Sequence, residues 1–444
     1  MTELAAAGPV RSPHRAGGRT DPAGGLLTAV HDDVGRLTTT VNLAAFENVL
    51  SCTARAMLHG PLADRYLIGH EQERRGLDPL LRSGLLSAAY PGVDALERAA
   101  SDTARQLLGA AWVDFRPLSG LHATISVFAL LTAPGSTVYS IAPANGGHFA
   151  TQPLLESMGR DGRYLPWCAS AGTVDLAAFA QVWRAHPGAM VFLDHGVPLA
   201  PLPVRELRAV IGDGALLAYD ASHTLGLIAG GRFQDPLAEG CDLLQGNTHK
   251  SFPGAHKGLV AFADAALGQG FSERLGLALV SSQQTGPTLA NYVTTLEMGV
   301  HASAYTRQML ANQAALACAL GESGFAVHHP PGATGPSASH VLLVEGGRQH
   351  DDADPYALAA RLMHCGVMLN ARPVDGRVVL RLGVQEVTRR GMRQPEMWRL
   401  AELMARAAHT EGATATAHVA GQVAALAGAF TSVRYGFDDS EAAC

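Results

Sequence analysis

The sequence predicts an α/β protein, with a mainly parallel, doubly wound sheet in a large domain and a smaller α+β domain after it. Three observations support this fold class. Apolar stretches of strand length alternate with helical patterns between residues 94 and 244. Apolar residues make up 47% of the 444 residues and charged residues only 16%, as is typical of a chain with a large buried core. Polar residues that could carry chemistry follow the predicted strands, where such sheets bind ligands.

The predicted elements follow one another in a regular order. Residues 94–108 have a helical pattern, and a second helix is predicted to begin after Ser119 and Gly120. A long helical pattern over about residues 289–320 is predicted to lead out of the large domain. The predicted strands of the large domain are residues 112–115, 137–141, 189–193, 215–219 and 242–244. The smaller domain is predicted to hold strands near residues 340–344 and 378–382 and a helix at residues 396–409.

Composition divides the chain into four predicted segments. Residues 1–25 are rich in Gly, Ala, Pro and Arg without apolar periodicity, so we expect a disordered leader there. An N-terminal arm is predicted at residues 26–60 and the large domain at residues 61–310. The small C-terminal domain is predicted at residues 311–444.

Charge and cysteine content argue against several kinds of partner. A net charge of −6 without a basic stripe argues against nucleic acid, and no apolar stretch is long enough to cross a bilayer. The six cysteines lack the spacing of metal ligands, so no metal site is predicted. Together with the absence of a recognisable signal peptide, they favour a reducing cytoplasm. The cysteines are Cys52, Cys168, Cys241, Cys318, Cys365 and Cys444.

Lysine is rare in this chain. Of the 33 basic residues only Lys250 and Lys257 are lysines. A lysine amine can lose its proton and form an imine with an aldehyde, which an arginine cannot do. Chance retention of two surface lysines is the alternative. The first interpretation points to pyridoxal 5′-phosphate (PLP), the aldehyde cofactor that lysines bind covalently.

Asp220 follows a predicted apolar strand thirty residues before Lys250. A PLP ring accepts electrons well only while its pyridine nitrogen is protonated, and a carboxylate facing that nitrogen keeps it protonated. Two adjacent strand ends could bring this carboxylate and the amine to one cofactor. The alternative for an isolated aspartate is a cap on the following turn.

Three further candidates lie in turns or late in the chain. Ser119 and Gly120 begin a predicted helix, whose free amides could bind a phosphate. His148, in the segment Asn145-Gly146-Gly147-His148, could stack on a flat heteroaromatic ring. Arg381 could hold an amino-acid carboxylate through two hydrogen bonds. Each has an ordinary structural alternative, and for Arg381 it is a surface arginine.

These motifs resemble, in sequence and spacing, the serine hydroxymethyltransferase family of fold-type I PLP enzymes. The resemblance covers about residues 35–410, and its most specific part is Thr248-His249-Lys250 with Asp220 and His223 thirty residues earlier. The supporting segments are residues 42–48 (NLAAFEN), 64–66 (DRY), 117–123, 145–148 and 381–391 (RLGVQEVTRRG).

The resemblance implies a role for each matching residue. Lys250 would form the internal aldimine, Asp220 would pair with the pyridine nitrogen, His148 would stack on the ring, His223 would lie near the phenolic oxygen, and Arg381 would bind the substrate carboxylate. The remaining implied cofactor contacts are Ser119, Gly120, Leu121, His195, His249, Thr285 and Gly286, and the remaining implied substrate contacts are Glu47 and Tyr66, of which Tyr66 is also implied in catalysis. Because the family's site forms between two subunits, the resemblance implies a homodimer in which Tyr66, Thr285 and Gly286 reach the neighbour's cofactor.

The chain also departs from the family. Its folate-related Ala-Glu-Gly appears here as Leu67-Ile68-Gly69, and isoleucine cannot relay a proton. Glu71 and Glu73 lie nearby as possible substitutes. The paired tyrosines expected at residues 74–79 are missing. Leu121 replaces a phosphate-site serine, His195 a cofactor-contacting serine, and residues 383–386 (GVQE) the usual Gly-Thr-Pro.

Loss of the folate glutamate makes the pattern most similar to the L-threonine transaldolase branch of the family. The resemblance implies cleavage of L-threonine to acetaldehyde, followed by addition of the glycine carbanion to an acceptor aldehyde in natural-product biosynthesis. Alternatives are a folate-dependent hydroxymethyltransferase acting on serine or α-methylserine, a simple threonine aldolase, and a catalytically silent partner subunit. Nothing in the sequence identifies the acceptor.

Overall fold

A computed structural model describes residues 24–72, 74, 90–330, 335–347, 354–374 and 376–437. The strands are β1 Val41–Asn42, β2 Trp112–Asp114, β3 Thr137–Ser140, β4 Asp161–Tyr164, β5 Trp167–Cys168, β6 Thr173–Val174, β7 Met190–Leu193, β8 Leu216–Asp220, β9 Leu243–Asn247, β10 Gly258–Phe262, β11 Phe325–Val327, β12 Val341–Gly347, β13 Val367–Met368, β14 Asn370–Val374 and β15 Arg377–Gly383. The α-helices are α1 Gly24–Leu37, α2 Cys52–His59, α3 Pro91–Leu108, α4 Gly120–Leu131, α5 Thr151–Ser157, α6 Leu176–Ala185, α7 Val204–Ile211, α8 Leu225–Ala229, α9 Ala265–Ala278, α10 Thr285–Glu322, α11 Pro355–His364, α12 Gln385–Arg389, α13 Gln394–Ala408 and α14 Ala413–Gly428. Residues 1–23 of the expected leader lie outside these ranges.

The central sheet has the strand order β2-β10-β9-β8-β7-β3-β4. Strands β4, β3, β7, β8 and β9 run parallel to one another. Strand β10 is antiparallel to both β9 and β2. The mainly parallel sheet confirms the predicted fold class.

Both faces of this sheet are buried. Along β7, Met190 and Phe192 join one apolar cluster, whereas Val191 and Leu193 join the other. Alternate side chains of a strand point to opposite faces, so a strand covered on both faces is apolar at every position. This burial explains why the parallel strands were predicted as uninterrupted apolar runs.

A second sheet, β11-β12-β15-β14, is antiparallel and lies at the C-terminal side of the chain. The 38-residue helix α10 leads to it. Near the N-terminal end, β1 pairs with β13, with Val41 opposite Val367. The segment that follows β1 contacts both parts of the chain, because the Leu43 carbonyl accepts the Gly383 N–H of β15 and the Asn48 side chain donates to the Lys250 carbonyl.

The structure differs from the predicted elements at several points. Eight strands were not predicted, namely β1, β4, β5, β6, β10, β11, β13 and β14. Most of them have two to four residues, whereas β10 is a buried apolar run as long as β8. Helix α10 begins at Thr285, before the predicted start. The hydrophobic pattern did not show this start, because the side chains buried in the first turns include polar ones such as Thr288 and Asn291, both 0% exposed. Residue 310, where the domain boundary was predicted, lies inside this continuous helix.

Two findings bear on the expected environment of the protein. None of the described helices has the length and apolarity needed to span a bilayer. Cys168, Cys241, Cys318 and Cys365 are free thiols, and Cys52 is disulfide-bonded. The cytoplasmic location therefore stays a prediction.

A buried ion pair connects α12 to α10. The Arg389 guanidinium lies 3.1 Å from the Glu297 carboxylate, and their side chains are 0% and 1% exposed. Removing one partner leaves a buried charge without compensation. We expect Arg389→Met to lower the free energy of unfolding by about 3–5 kcal/mol, measured by urea denaturation. The control is Arg399→Met, which removes an exposed pair with Glu402 and should cost less than about 1 kcal/mol; equal losses in the two variants would contradict this account.

Candidate active site

The carboxyl ends of the parallel strands β3, β7, β8 and β9 meet at one edge of the central sheet. A small cavity opens there, at the edge where parallel sheets of this kind bind their ligands. It is lined by Gly120, Leu121, Thr124, His148, Thr151, Asp194, His195, Gly196, Asp220, Ser222, His223, Asn247 and Lys250. The structure therefore brings the predicted Lys250, Asp220, His148, His195, His223, Gly120 and Leu121 to one cavity.

Lys250 projects from the turn that follows β9. The turn is fixed by its neighbours: the buried Thr248 hydroxyl donates to the Ala255 carbonyl at 2.6 Å, and Asn48 donates its side-chain amide to the Lys250 carbonyl at 2.6 Å. The Lys250 Nζ lies 3.2 Å from His223 Nε2. The amine is thus held in a defined position inside the cavity.

The environment of Lys250 favours its unprotonated form. Burial lowers the pKa of the amine to about 8, the Asp220 carboxylate opposes this shift, and the Arg381 guanidinium adds to it. About a tenth of the amine is therefore unprotonated at pH 7, and only this form condenses with an aldehyde.

Asp220 and His223 face the cavity from the end of β8. The Asp220 carboxylate accepts the backbone N–H of Ser222 at 2.8 Å, which holds the carboxylate beside the turn. Burial, together with the positive charges of Lys250 and Arg381, lowers the pKa of His223 well below its ordinary value. Its imidazole is therefore neutral, and its Nδ1 has no hydrogen-bond partner among the described residues.

The N-terminus of α4 borders the cavity, although its donors are partly engaged. Ser119 is the N-cap, and its hydroxyl accepts the backbone N–H of His122 at 3.0 Å. The Gly120 N–H donates to the Asn247 side chain at 2.9 Å. A Cβ at Gly120 would overlap that Asn247 side chain, so only glycine permits this close approach. Ser119 itself does not line the cavity, in contrast to Gly120 and Leu121.

Asp194 is a site residue that was not predicted from the sequence. It lies at the end of β7 and is 2% exposed. Its carboxylate accepts hydrogen bonds from the backbone N–H groups of Ile141 and His148 and from the Thr151 hydroxyl, at 3.0, 3.2 and 2.5 Å. Burial raises its pKa to about 7 despite these bonds. Asp194 thus fixes the turn that carries His148, and its position after an apolar strand was the signal available in the sequence.

His148 and His195 lie on the same side of the cavity. The His148 ring stacks on Phe149 with ring centroids 4.7 Å apart. Desolvation, Lys250 and Arg372 lower the pKa of His148, whereas Asp220 opposes the shift. Burial, with a smaller effect of Arg372, lowers the pKa of His195 to about 4. Both imidazoles are therefore neutral at pH 7.

Arg381 approaches the cavity from the second sheet. Its Nη1 donates to the Gly196 carbonyl at 3.1 Å, and its Nε donates to Asn370 Oδ1 at 3.2 Å. The guanidinium also lies 5.5 Å from the centre of the Phe46 ring. Among the described residues no carboxylate forms an ion pair with it, and burial lowers its pKa to about 10. This arrangement leaves a buried cation available to an anionic substrate group.

Besides Ser119 and Arg381, five of the predicted site residues do not line the cavity of their own chain. Tyr66 is 73% exposed and lines a separate surface pocket with Thr285, whose hydroxyl donates to the Arg65 carbonyl. Gly286 packs against α2. The His249 ring stacks on His256 with centroids 3.7 Å apart, and the Glu47 carboxylate accepts the Asn42 side-chain amide at 2.7 Å.

Comparison with known proteins assigns the chain to a family. The family model of serine hydroxymethyltransferase matches residues 21–404. The chain belongs to the serine hydroxymethyltransferase family. Its relatives include the fluorothreonine transaldolase of Streptantibioticus cattleyicolor, which is 38% identical over 91% of this chain. This chain spans only 62% of that relative's length.

Two other relatives match this chain over most of its length and most of their own length. The L-threonine:uridine-5'-aldehyde transaldolase of a Streptomyces species is 36% identical, over 85% of this chain and 87% of the relative. The serine hydroxymethyltransferase of Pyrobaculum calidifontis is 32% identical, over 90% and 91%. A crystal structure of L-threonine transaldolase from Pseudomonas fluorescens, in its internal aldimine state, has a TM-score of 0.83, 28% identity and 94% coverage of both chains.

The family and this solved neighbour imply PLP as the cofactor of the chain. The residues that line the cavity of this chain fit PLP. Two buried ring nitrogens, Nδ1 of His195 and Nδ1 of His223, have no partner among the described residues, and such buried polar atoms normally bind something. The amine of Lys250 and the carboxylate of Asp220 line the same cavity. The donor set therefore matches a charged heteroaromatic aldehyde.

The departures from the family pattern also take positions in this structure. Leu67 is buried, and its carbonyl accepts the Gln283 N–H. Glu71 pairs with Arg98 at 3.3 Å, so it does not reach the Lys250 cavity as a replacement for the family's glutamate. Glu73 lies outside the described residues. Among the described residues of this segment, no carboxylate therefore takes the place of the family's folate-related glutamate.

The lowered pKa of Lys250 makes a pH-dependent prediction for cofactor loading. An amine with a pKa near 8 is increasingly protonated as the pH falls, and only the unprotonated form condenses with an aldehyde. We expect the rate of PLP binding to the cofactor-free protein to rise about tenfold between pH 6 and pH 7 and to level off above pH 8. Stopped-flow absorbance measures this rate. A rate that still rises tenfold between pH 9 and pH 10 would indicate an ordinary lysine and contradict this account.

Proposed function

We propose that this chain is an L-threonine transaldolase. L-Threonine and an acceptor aldehyde would yield acetaldehyde and a new β-hydroxy-α-amino acid. The single observation that carries the proposal is the combination of a complete Lys250 and Asp220 site with isoleucine, Ile68, where folate-dependent relatives have an acid. Relatives with 36% and 38% identity and the solved neighbour bear transaldolase names, which supports this choice.

Each of three site residues has its own role in the proposed reaction. When bound, PLP accepts the electron pair of a bond broken at the substrate's Cα. Lys250 supplies the amine that anchors the cofactor, and Asp220 supplies the carboxylate that keeps its ring nitrogen protonated. Arg381 holds the carboxylate of threonine and so fixes which bond at Cα lies across the ring.

His148 is the proposed proton carrier. Cleavage of threonine between Cα and Cβ requires loss of the β-hydroxyl proton, and a neutral imidazole at the cavity can accept it. In the second half of the reaction a bond forms between Cα and the carbonyl carbon of the acceptor, and the same proton passes to the new hydroxyl. Protons and electrons therefore balance without a further reactant.

We propose a homodimer with shared sites as part of this function. The exposed Tyr66 lines a surface pocket with the buried Thr285, which Gly286 follows in the chain, and all three lie away from the cavity of their own chain. This position suits residues that complete the site of a second copy. Light scattering should give the mass of a dimer. Tyr66→Phe should reduce the rate of acetaldehyde release and leave the mass of the dimer unchanged. Full activity of a monomer would contradict this part of the proposal.

The experiment that tests the function supplies the PLP-loaded enzyme with L-threonine, with and without a panel of aldehydes, and with and without tetrahydrofolate. We expect acetaldehyde release together with a new amino acid that contains the acceptor. Turnover that requires tetrahydrofolate would favour the hydroxymethyltransferase alternative, which the 32% identical relatives support. Glycine release that is independent of every aldehyde would indicate a simple aldolase.

A further inference from the structure

A second arginine accompanies Arg381 on the same face of the small sheet. Arg381 on β15 is the direct partner of Asn370 on β14, and directly opposite residues of a strand pair point to the same side. Arg372 lies two residues after Asn370, so its side chain also points to that side. The register therefore makes Arg372 a diagonal neighbour of Arg381.

Both guanidinium groups converge on Gly196 at the edge of the cavity. Arg381 Nη1 donates to the Gly196 carbonyl at 3.1 Å, and Arg372 Nη1 lies 3.5 Å from the position that a Cβ would take on Gly196. The positive charge of Arg372 lowers the pKa of His148, His195 and Arg381. Arg372 thus faces the same site as the proposed machinery.

Arg372 has no compensating charge in the described part of the chain. No ion pair involves it there, and its one hydrogen bond is a long one of 3.4 Å from Nε to the neighbouring Pro373 carbonyl. The side chain is half-buried. Two partly desolvated cations side by side repel one another, which costs stability unless an anion binds between them or beside them.

The donor substrate does not account for both cations. L-Threonine has one carboxylate, which one bidentate arginine satisfies, and the departing acetaldehyde is neutral. On the proposed transaldolase function, on which this inference rests, the remaining substrate is the acceptor aldehyde. We infer that Arg372 binds an anionic group, a carboxylate or a phosphate, on the acceptor aldehyde.

The test compares anionic aldehydes with neutral aldehydes built on the same carbon skeleton, using the PLP-loaded enzyme and L-threonine. The aryl set is 4-formylbenzoate, 4-formylphenyl phosphate and the neutral 4-formylbenzamide; the aliphatic pair is succinic semialdehyde and its neutral amide. We expect the wild-type kcat/KM to be about ten- to a hundredfold higher for the anionic member of a set. The carboxylate and phosphate members decide which anion is preferred.

The variant Arg372→Gln should remove this preference. Its KM for the anionic aldehyde should rise about ten- to a hundredfold, whereas its KM for L-threonine and its kcat/KM for the neutral aldehyde should change less than about threefold. Arg372→Lys should restore part of the preference. The matched control is Arg377→Gln on β15, because Arg377 is 61% exposed and pairs with Glu345; it should behave as wild type.

Three outcomes would overturn the inference. Equal use of anionic and neutral aldehydes by the wild type, or an unchanged preference in Arg372→Gln, excludes an anion site at Arg372. A rise in the KM for L-threonine alone assigns Arg372 to the amino-acid carboxylate. Acetaldehyde release from L-threonine is followed in every assay, so its absence identifies failure of the transaldolase function itself, with which this inference also falls.

Discussion

Replacing Lys250 with alanine is expected to reduce acetaldehyde release from L-threonine at least about 10⁴-fold in kcat/KM. The amine lies in the cavity 3.2 Å from His223 Nε2, and burial lowers its pKa to about 8. No other described lysine can replace it, because the Lys257 Nζ is engaged by the Gln283 carbonyl and the Thr288 hydroxyl at 2.5 and 2.7 Å. Coupled enzymatic detection of acetaldehyde measures the loss.

A matched variant separates the amine's chemistry from its charge. Lys250→Arg keeps a cation in the cavity but cannot be deprotonated, so it should be as inactive as Lys250→Ala. Circular dichroism should show both variants folded. Activity of Lys250→Arg above one tenth of wild type would contradict the role assigned to the unprotonated amine.

The second large effect is expected at Asp220. Asp220→Asn keeps the size of the side chain and its ability to accept the Ser222 N–H, but it removes the negative charge. The ring nitrogen of the cofactor then loses the carboxylate that keeps it protonated, and we expect kcat to fall about 10²- to 10³-fold. Steady-state kinetics with L-threonine and a saturating acceptor measures this change.

An exposed aspartate provides the control for Asp220. Asp213, after α7, is exposed, and Asp213→Asn should retain wild-type kcat. Cofactor absorbance should confirm that Asp220→Asn still binds PLP. A kcat of Asp220→Asn within threefold of wild type would show that the carboxylate does not act on the cofactor.

The sequence predicted the part of the site that follows parallel strands. Asp220 and Lys250 lie after β8 and β9, whose uninterrupted apolar residues are buried on both faces and could be recognised as strands. Parallel strands place their carboxyl ends at one edge. The predicted strands were therefore sufficient to indicate that Asp220 and Lys250 lie close together. The rarity of lysine then selected Lys250.

The remainder of the site depends on contacts that sequence patterns do not encode. Asp194 was missed because its partners, the N–H groups of Ile141 and His148, belong to a turn about 50 residues earlier. The hydrogen bond of the Gly120 N–H to Asn247 joins residues more than a hundred positions apart, so the engagement of this helix N-terminus was not foreseeable. Arg372 is one of 31 arginines, and only the register of β14 with β15 shows that it lies beside Arg381.

Reduction with borohydride, followed by peptide mapping of the intact PLP-loaded protein, measures directly where the cofactor is attached. We expect a stable pyridoxyl adduct on the peptide that contains Thr248-His249-Lys250, at Lys250 alone. An adduct at Lys257 or at the N-terminal amine, or no adduct in a protein that retains activity, would contradict it.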